Sequence, residues 1–349
     1  MILSTLRYRG VQAALLAAVL FGAGTPAAKL LLGDVSPWLL AGLLYCGSGL
    51  GLGLIRLVRR SPRPHLSPSE LVPLAGAVAF GGIAGPVLMM VGLTQLPASG
   101  ASLLLNAEGV FTALLAWFVF RENFDRRVAL GMAAIVAGAV LLTVPTGTEF
   151  GSIWPSLAVL GACLCWGLDN NLTRKVALTD ATWLAAVKGS VAGPVNLLLA
   201  FLLGAQLPAP SSVAAALVVG FFAYGVSLVL FIVGMRHLGT ARAGAYFSVA
   251  PFFGAVLAVV ALGEPVTWPL IFAGLLMAVG VWLHLSEDHR HRHTHTELTH
   301  THSHTADRHH RHDHPEPVPA GTRHTHEHTH EADIHTHQHY PDEHHRHSH

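Results

Sequence analysis

Residues 97–122 read PASGASLLLNAEGVFTALLAWFVFRE. The run stays apolar for longer than a bilayer is thick, yet it carries Glu108 in its middle. A second copy follows at 240–264, TARAGAYFSVAPFFGAVLAVVALGE. Laying Glu122 on Glu264 brings the upstream landmarks together without a gap: Leu96 meets Leu238, Gly92 meets Gly234, Asn106 meets Ser248 and Gly109 meets Pro251. The chain is an internal duplication of membrane-embedded sequence.

Composition agrees. Of 349 residues, 52% are hydrophobic and only 12% charged, against about 25% charged in an ordinary soluble domain. Even that charge is unevenly spread, because six of the 21 basic residues and 22 of the 25 histidines follow Leu285. A net charge of +1 without a basic stripe excludes nucleic acid as a partner. Cys46, Cys163 and Cys165 lie within apolar segments and lack the spacing of a redox or zinc pair, so they read as small buried hydrophobes.

Working outward, ten apolar spans emerge, near 11–32, 37–57, 71–92, 99–120, 127–144, 153–173, 181–203, 212–235, 241–262 and 266–285. Proline punctuates the joints (Pro37, Pro62, Pro64, Pro97, Pro145, Pro208, Pro210, Pro265) because it cannot continue a helical backbone ladder. No long run alternates with period two, as a membrane barrel requires. The first span imitates a signal peptide, but with so many spans following, an uncleaved helix is the better reading. The expected fold is therefore an all-α integral membrane protein.

Charge sets its orientation. Arg7 and Arg9 precede the first span, Arg56, Arg59, Arg60 and Arg63 follow the second, and Arg121, Arg126 and Arg127 follow the fourth. Arg174 and Lys175 follow the sixth, and Arg236 and Arg242 flank the joint after the eighth; the alternate loops hold no Lys or Arg. The positive-inside rule then places both termini and the histidine tail in the cytoplasm. Each half holds five spans, an odd number, so the second inserts upside down. Inverted repeats of this kind signal a transporter with its substrate site near the midplane between the halves. A duplicated scaffold without transport is the plainer alternative.

The landmarks resemble the drug/metabolite transporter superfamily, specifically its EamA-type ten-helix members, over Val11 to Leu285. The resemblance is carried by Phe21-Gly22 with Pro26 and Lys29 in the first span and by Trp166-Gly167 with Arg174 in the sixth. Pro251 with Gly263-Glu264, and the glycine-studded fifth and tenth spans, complete it. It implies two five-helix repeats, residues 1–146 and 147–286, with a tail at 287–349. It also implies small polar or amphipathic metabolites as cargo, often exported, through a central cavity. One departure stands out: where the second copy has Pro251, the first has Gly109 beside Glu108.

Several side chains are candidates for the pathway. An ionisable group as deep as Glu108 costs at least a few kcal/mol unless it faces a polar cavity or is neutralised. It is either a proton-coupling or cation-binding carboxylate, or a structural hydrogen-bonding partner of Asn106 or a neighbouring helix. Lys188, seven residues into its span, either snorkels to the interface or pairs with a buried carboxylate or substrate anion. Pro26 and Lys29 share a helical turn, so a kink would present the ammonium to the cavity mouth; interfacial anchoring is the other reading. Asp169, Asn170 and Asn171 form a polar cluster, with Thr173 and Arg174 as local partners for Asp169. Tyr246, Asn196 and Gln95 are weaker candidates, each explicable by bonding between helices. Gly47, Gly49, Gly51, Gly53, Gly81 and Gly85 form small-residue packing faces. No nucleophile–base pair, phosphate loop or HExxH motif occurs, and the segment around Ser227 is no nucleophile elbow, so an enzyme is not expected.

Beyond Leu285 the chain changes character. Histidine recurs at every second position, as His289, His291, His293, His295, then His300, His302, His304, then His324, His326, His328, His330, then His335, His337, His339. Few apolar residues and several prolines leave nothing to build a core, so a disordered C-terminal tail is expected. Imidazole binds Zn, Ni, Co and Cu, with Asp307, Asp313, Glu327 and Glu331 as further ligands. No cofactor is required by this reading. The partners expected are the lipid bilayer, a small-molecule substrate and divalent metal ions at the tail, with a homodimer left open. The tail serves either a metabolite exporter as an appended buffer, or a transition-metal transporter as collector, or a membrane-tethered metal store; a pH sensor is a further role. The membrane part lacks converging His, Asp or Cys ligands, which argues against direct passage of bare metal.

Overall fold

The computed structural model describes residues 9–61, 68–120, 126–143, 153–174, 180–238, 246–285, 290–294, 298–304, 324–330 and 334–338; side chains of the tail strands and of a few helical residues are not described. The chain separates into two units, Met1–Glu287 and Asp288–His349.

Among its described residues the first unit is built of helices. They are α1 (Arg9–Leu31), α2 (Pro37–Val58), α3 (Pro68–Ala77), α4 (Gly85–Gln95), α5 (Ala98–Leu104), α6 (Ala107–Phe120) and α7 (Arg126–Thr143). The second half adds α8 (Trp154–Arg174), α9 (Ala181–Leu202), α10 (Pro210–Gly220), α11 (Ser227–Leu238), α12 (Ala250–Leu262) and α13 (Trp268–Leu285). Among the described residues six helical segments are long and apolar enough to cross a membrane, and three shorter apolar helices accompany them. The 21-residue α8 carries the polar Asp169-Asn170-Asn171 run. Every one of the ten expected spans is occupied by helix, and the sequence breakers sit at the joints: Pro37 and Pro210 open α2 and α10, where a missing N–H costs nothing.

Four expected single spans are interrupted. A π-helical stretch, Val78–Ala84, joins α3 to α4, and another, Phe221–Val226, joins α10 to α11. The fourth span breaks at Leu105–Asn106 between α5 and α6, and a matching turn at Ser248–Val249 precedes α12. Under the 142-residue offset that aligns Glu122 with Glu264, each interruption falls within one residue of its counterpart. The duplication is therefore preserved down to helix irregularities.

The packing obeys the same exchange. The main contacts pair α2 with α9, α7 with α13, α5 with α12, α1 with α11 and α12, and α8 with α4 and α6. Swapping the halves maps the α2–α9 and α7–α13 pairs onto themselves and the α1 pairs onto the α8 pairs. The repeats interleave across a pseudo-two-fold axis, and with five spans each they are inverted. Large apolar side chains such as Leu57 (75% exposed) and Val260 (76% exposed) cover the outside, as a lipid-facing surface requires. Lipid removes the hydrophobic drive between helices, so close backbone approach has to supply the packing. At the α2–α9 crossing a Cβ on Gly49 would meet the Gly189 and Ser190 backbone, while Gly47 lies against the Leu217 backbone. Gly53 faces open space, so the expected packing face stops short of it.

α2 ends in a Schellman turn. Ser61 N–H donates to Arg56 O and Arg60 N–H to Leu57 O, with Arg60 at φ 49° in the left-handed position that glycine usually holds.

In the second unit, the described stretches are extended: β1 (Arg290–Thr294), β2 (Leu298–His304), β3 (His324–His330) and β4 (Ile334–Gln338). The pairs are antiparallel, β1 with β4 and β2 with β3. Alternation of histidine with Thr, Ser, Arg or Glu suits the period-two backbone of these four short stretches. The register sets His291 opposite His337, His293 opposite His335, and His300, His302 and His304 opposite His328, His326 and His324. His289, His295 and His339 lie outside the described residues.

Candidate functional site

The π-helical stretch of the first half is the hub of the polar interior. A π turn misaligns backbone carbonyls with their usual donors, and three neighbouring helices supply replacements. Tyr45 of α2 donates its hydroxyl to Gly81 O at 2.6 Å, and Trp166 of α8 donates Nε1 to the same oxygen at 3.1 Å. Asn196 of α9 donates Nδ2 to Gly82 O at 3.0 Å. Gly81 is glycine because the Asp169 carboxylate occupies the place of its side chain.

Asp169 is buried on α8. Lys188 of α9 donates to both its oxygens, at 2.6 and 2.5 Å, and Thr173 Oγ1 donates to Oδ1 at 2.8 Å. Of the two readings of Lys188, the counter-ion is the one found: its ammonium is turned inward onto Asp169. Arg174's side chain lies outside the described residues.

One residue along α8, Asn170 donates Nδ2 to Glu108 Oε1 at 2.8 Å and to Thr112 Oγ1 at 3.2 Å. Asn171 donates to Gly167 O at 2.8 Å and Thr112 O at 3.2 Å. Glu108 stands in the first turn of α6, just past the helix break. The start of α6 gives the carboxylate a favourable helix dipole. Its partner is Asn170 of the neighbouring helix, not Asn106. Asn106 is buried at the break, where Nδ2 caps Leu103 O at 3.0 Å and approaches Met277 Sδ at 3.8 Å. Glu108 is half-buried and Asn170 exposed, so this pair borders open space.

Tyr45 joins this polar interior to a line of aromatic rings. Phe21 lies 6.0 Å from Tyr224 and 5.3 Å from Phe247, Tyr45 lies 5.6 Å from Tyr224, and Phe231 lies 4.6 Å from Phe247. They come from α1, α2, the π stretch of the second half, α11 and the turn before α12. Tyr246 is half-buried beside this line, while Pro26 and Pro251 are buried within α1 and α12.

Lys29 is placed elsewhere. Its ammonium donates to Leu93 O and Leu96 O at 2.7 Å and to Thr94 O at 3.3 Å, closing the end of α4. Terminal carbonyls lack helical donors and draw a cation. Next to it, Glu264 accepts from Ala98 N at 2.6 Å and Ser99 N at 2.8 Å, capping α5. Together these two residues fasten the α4–α5 corner to the ends of α1 and α12. Glu122, its repeat counterpart, lies outside the described residues.

Tyr45, Tyr224 and Trp166 were not singled out from sequence as site residues. Aromatic residues in apolar spans read as packing until a partner is visible, and the π turn that recruits Tyr45 and Trp166 leaves no sequence signature.

Charge pairs, an aromatic wall and paired helix breaks between interleaved halves are the outfit of a carrier. The EamA-like transporter family matches the chain twice, at residues 8–144 and 153–286. The chain belongs to this family. An uncharacterized transporter of Methanothermobacter thermautotrophicus is 28% identical over 297 residues, which is 79% of this chain and 86% of that protein. An uncharacterized inner membrane transporter of Escherichia coli is 22% identical, over 71% of this chain and 83% of its own length. A Salmonella typhimurium protein named a "probable amino-acid metabolite efflux pump" is 29% identical over 164 residues, spanning 47% of this chain and 52% of the pump. A solved crystal structure superposes with a TM-score of 0.61 at 19% identity, covering 80% of this chain and 99% of that one. The protein is thus a multi-pass membrane transporter of small molecules, and its family is not an enzyme family.

Proposed function

We propose that this transporter exports small amphipathic metabolites by alternating access, from a cytoplasmic membrane in which both termini face the cytoplasm. The observation that carries the reading is Glu108 on Asn170, bordering open space one residue along α8 from the Asp169–Lys188 pair, with the Phe21–Tyr224–Phe247 rings joined to that cluster through Tyr45. A cargo with an apolar body and a polar or charged head satisfies both walls. Amino-acid-like compounds fit that description, in line with the name of the Salmonella relative. Glu108 is the coupling carboxylate, since it alone of the two acids has no cationic partner among the described residues. Asn170, Asp169 and Lys188 shape the site; Asn106, Pro26, Pro251 and Tyr246 border the breaks and kinks that move. The boundary between repeats falls near residue 146.

The test is uptake of labelled amino acids into proteoliposomes under an imposed pH gradient, comparing the wild type with Glu108→Gln. Gradient-driven uptake should fall at least tenfold in the variant while exchange of preloaded substrate persists. Equal gradient-driven uptake in both would remove Glu108 from coupling.

A second reading is favoured by the tail, whose register sets histidine opposite histidine along two strand pairs. We propose that it captures Zn, Ni, Co or Cu at the cytoplasmic face as a buffer or regulator. Cell-associated metal, measured for the full chain, for a chain ending at Leu285 and for Glu108→Gln in each, separates the roles. Metal that follows the tail alone makes it an accessory; metal that follows Glu108 without the tail makes the helices a metal carrier.

A further inference from the structure

Away from the central site, an open cleft of about 490 Å³ lies between α2 and α9. We infer that it binds an anionic phospholipid, whose phosphate sits against Arg60. The cleft joins two chemistries. Leu57, Val187 and Val191 give it an apolar wall, while Arg56, Arg60 and Ser61 gather at one end. Trp183, also in the lining, stands in the first turn of α9, and tryptophan favours the level of lipid headgroups. A basic corner above an apolar slot between spans suits a phosphate with acyl chains below it.

The backbone gives an independent reason. Arg60 holds the left-handed position of the turn that closes α2, at φ 49°. Glycine takes that conformation without a Cβ clash. A long cation placed there is costly for the turn and therefore points to a use for the side chain. Arg56 is already committed to Asp180 of the neighbouring helix end. Arg60 is exposed and has no ion-pair partner among the described residues. The Arg56–Asp180 bridge ties the end of α2 to the start of α9, and Arg60 supplies the open charge.

The experiment uses the full chain in neutral detergent, titrated with phosphatidylglycerol or phosphatidylcholine. Bound lipid is counted by native mass spectrometry, and the unfolding midpoint is followed in parallel. Phosphatidylglycerol should be retained over phosphatidylcholine and should raise the midpoint. Arg60→Gly should weaken phosphatidylglycerol about fivefold, the share of one arginine near a lipid surface. Its lipid-free midpoint should be unchanged or higher, because glycine suits the turn. Arg60→Asn, which also tolerates the left-handed backbone, should lose the lipid in the same way, and Arg60→Lys should keep most of it. Undiminished phosphatidylglycerol binding in both Arg60→Gly and Arg60→Asn overturns the inference. So does equal competition by inorganic phosphate at matched concentration, which would make the cleft a site for free phosphate.

Discussion

The Asp169–Lys188 pair joins α8 to α9 beside the π turn, and its removal should be strongly non-additive. Both side chains are about 11–12% exposed, so water does little to compensate either alone. Lys188→Met leaves the carboxylate, among the described residues, with only Thr173 Oγ1 as a donor. Breaking a buried pair in this way costs about 3–5 kcal/mol. An independent ceiling comes from proton uptake, since neutralising an ordinary aspartate at pH 7 costs about 4 kcal/mol. Asp169→Asn should cost a similar amount, because it strands the ammonium. The double variant, Asp169→Asn with Lys188→Met, buries no charge, and Asn still accepts from Thr173. It should be more stable than either single variant. The assay is unfolding in mixed micelles, read by tryptophan fluorescence. A double variant whose loss equals the sum of the single losses, within about 0.5 kcal/mol, would refute the coupling.

Glu264→Gln should weaken the cap on α5 by about 1 kcal/mol and raise the reactivity of a cysteine at Ser99 toward an aqueous maleimide; unchanged reactivity would show that this corner is not held by Glu264. Asp180 is raised by partial burial, but bonds from Arg56, Trp183 N and Thr182 N outweigh it and hold the carboxyl below the ordinary value. Its contribution to stability should therefore be complete at neutral pH and fall away as pH drops through the carboxylate range, and Asp180→Asn should flatten that part of the pH–stability curve. Gly49→Ala should cost about 2 kcal/mol or more by forcing α2 off α9, whereas Gly53→Ala, with open space at its Cβ position, should leave the unfolding midpoint unchanged.

Much of the fold was legible because hydropathy and helix breakers act locally. Ten spans, their joints and the duplication follow from residues near one another in sequence. The helix breaks were only partly legible: Asn106 and Pro251 mark the fourth and ninth spans, but nothing in VAFGGIA or FFAYGV announces a π turn. Glu108 stood out because a carboxylate in an apolar span is costly wherever it points. Lys188 did not resolve itself, because a long side chain reaches either the interface or a partner, and only the position of α8 decides.

Sequence alone determined the class of protein, since lipid admits few ways of satisfying a backbone and an odd-span duplication must invert. It also determined which residues were too polar to be ignored. Tertiary structure decided what those residues do. Asp169 meets Lys188, Asn170 meets Glu108, Lys29 closes α4 and Glu264 caps α5, over separations of 19, 62, 64–67 and 165–166 residues. Such meetings depend on how the interleaved halves cross, and the crossing depends on glycine contacts and helix breaks acting at a distance. Charge and hydropathy are properties of a residue; partnership is a property of the packing.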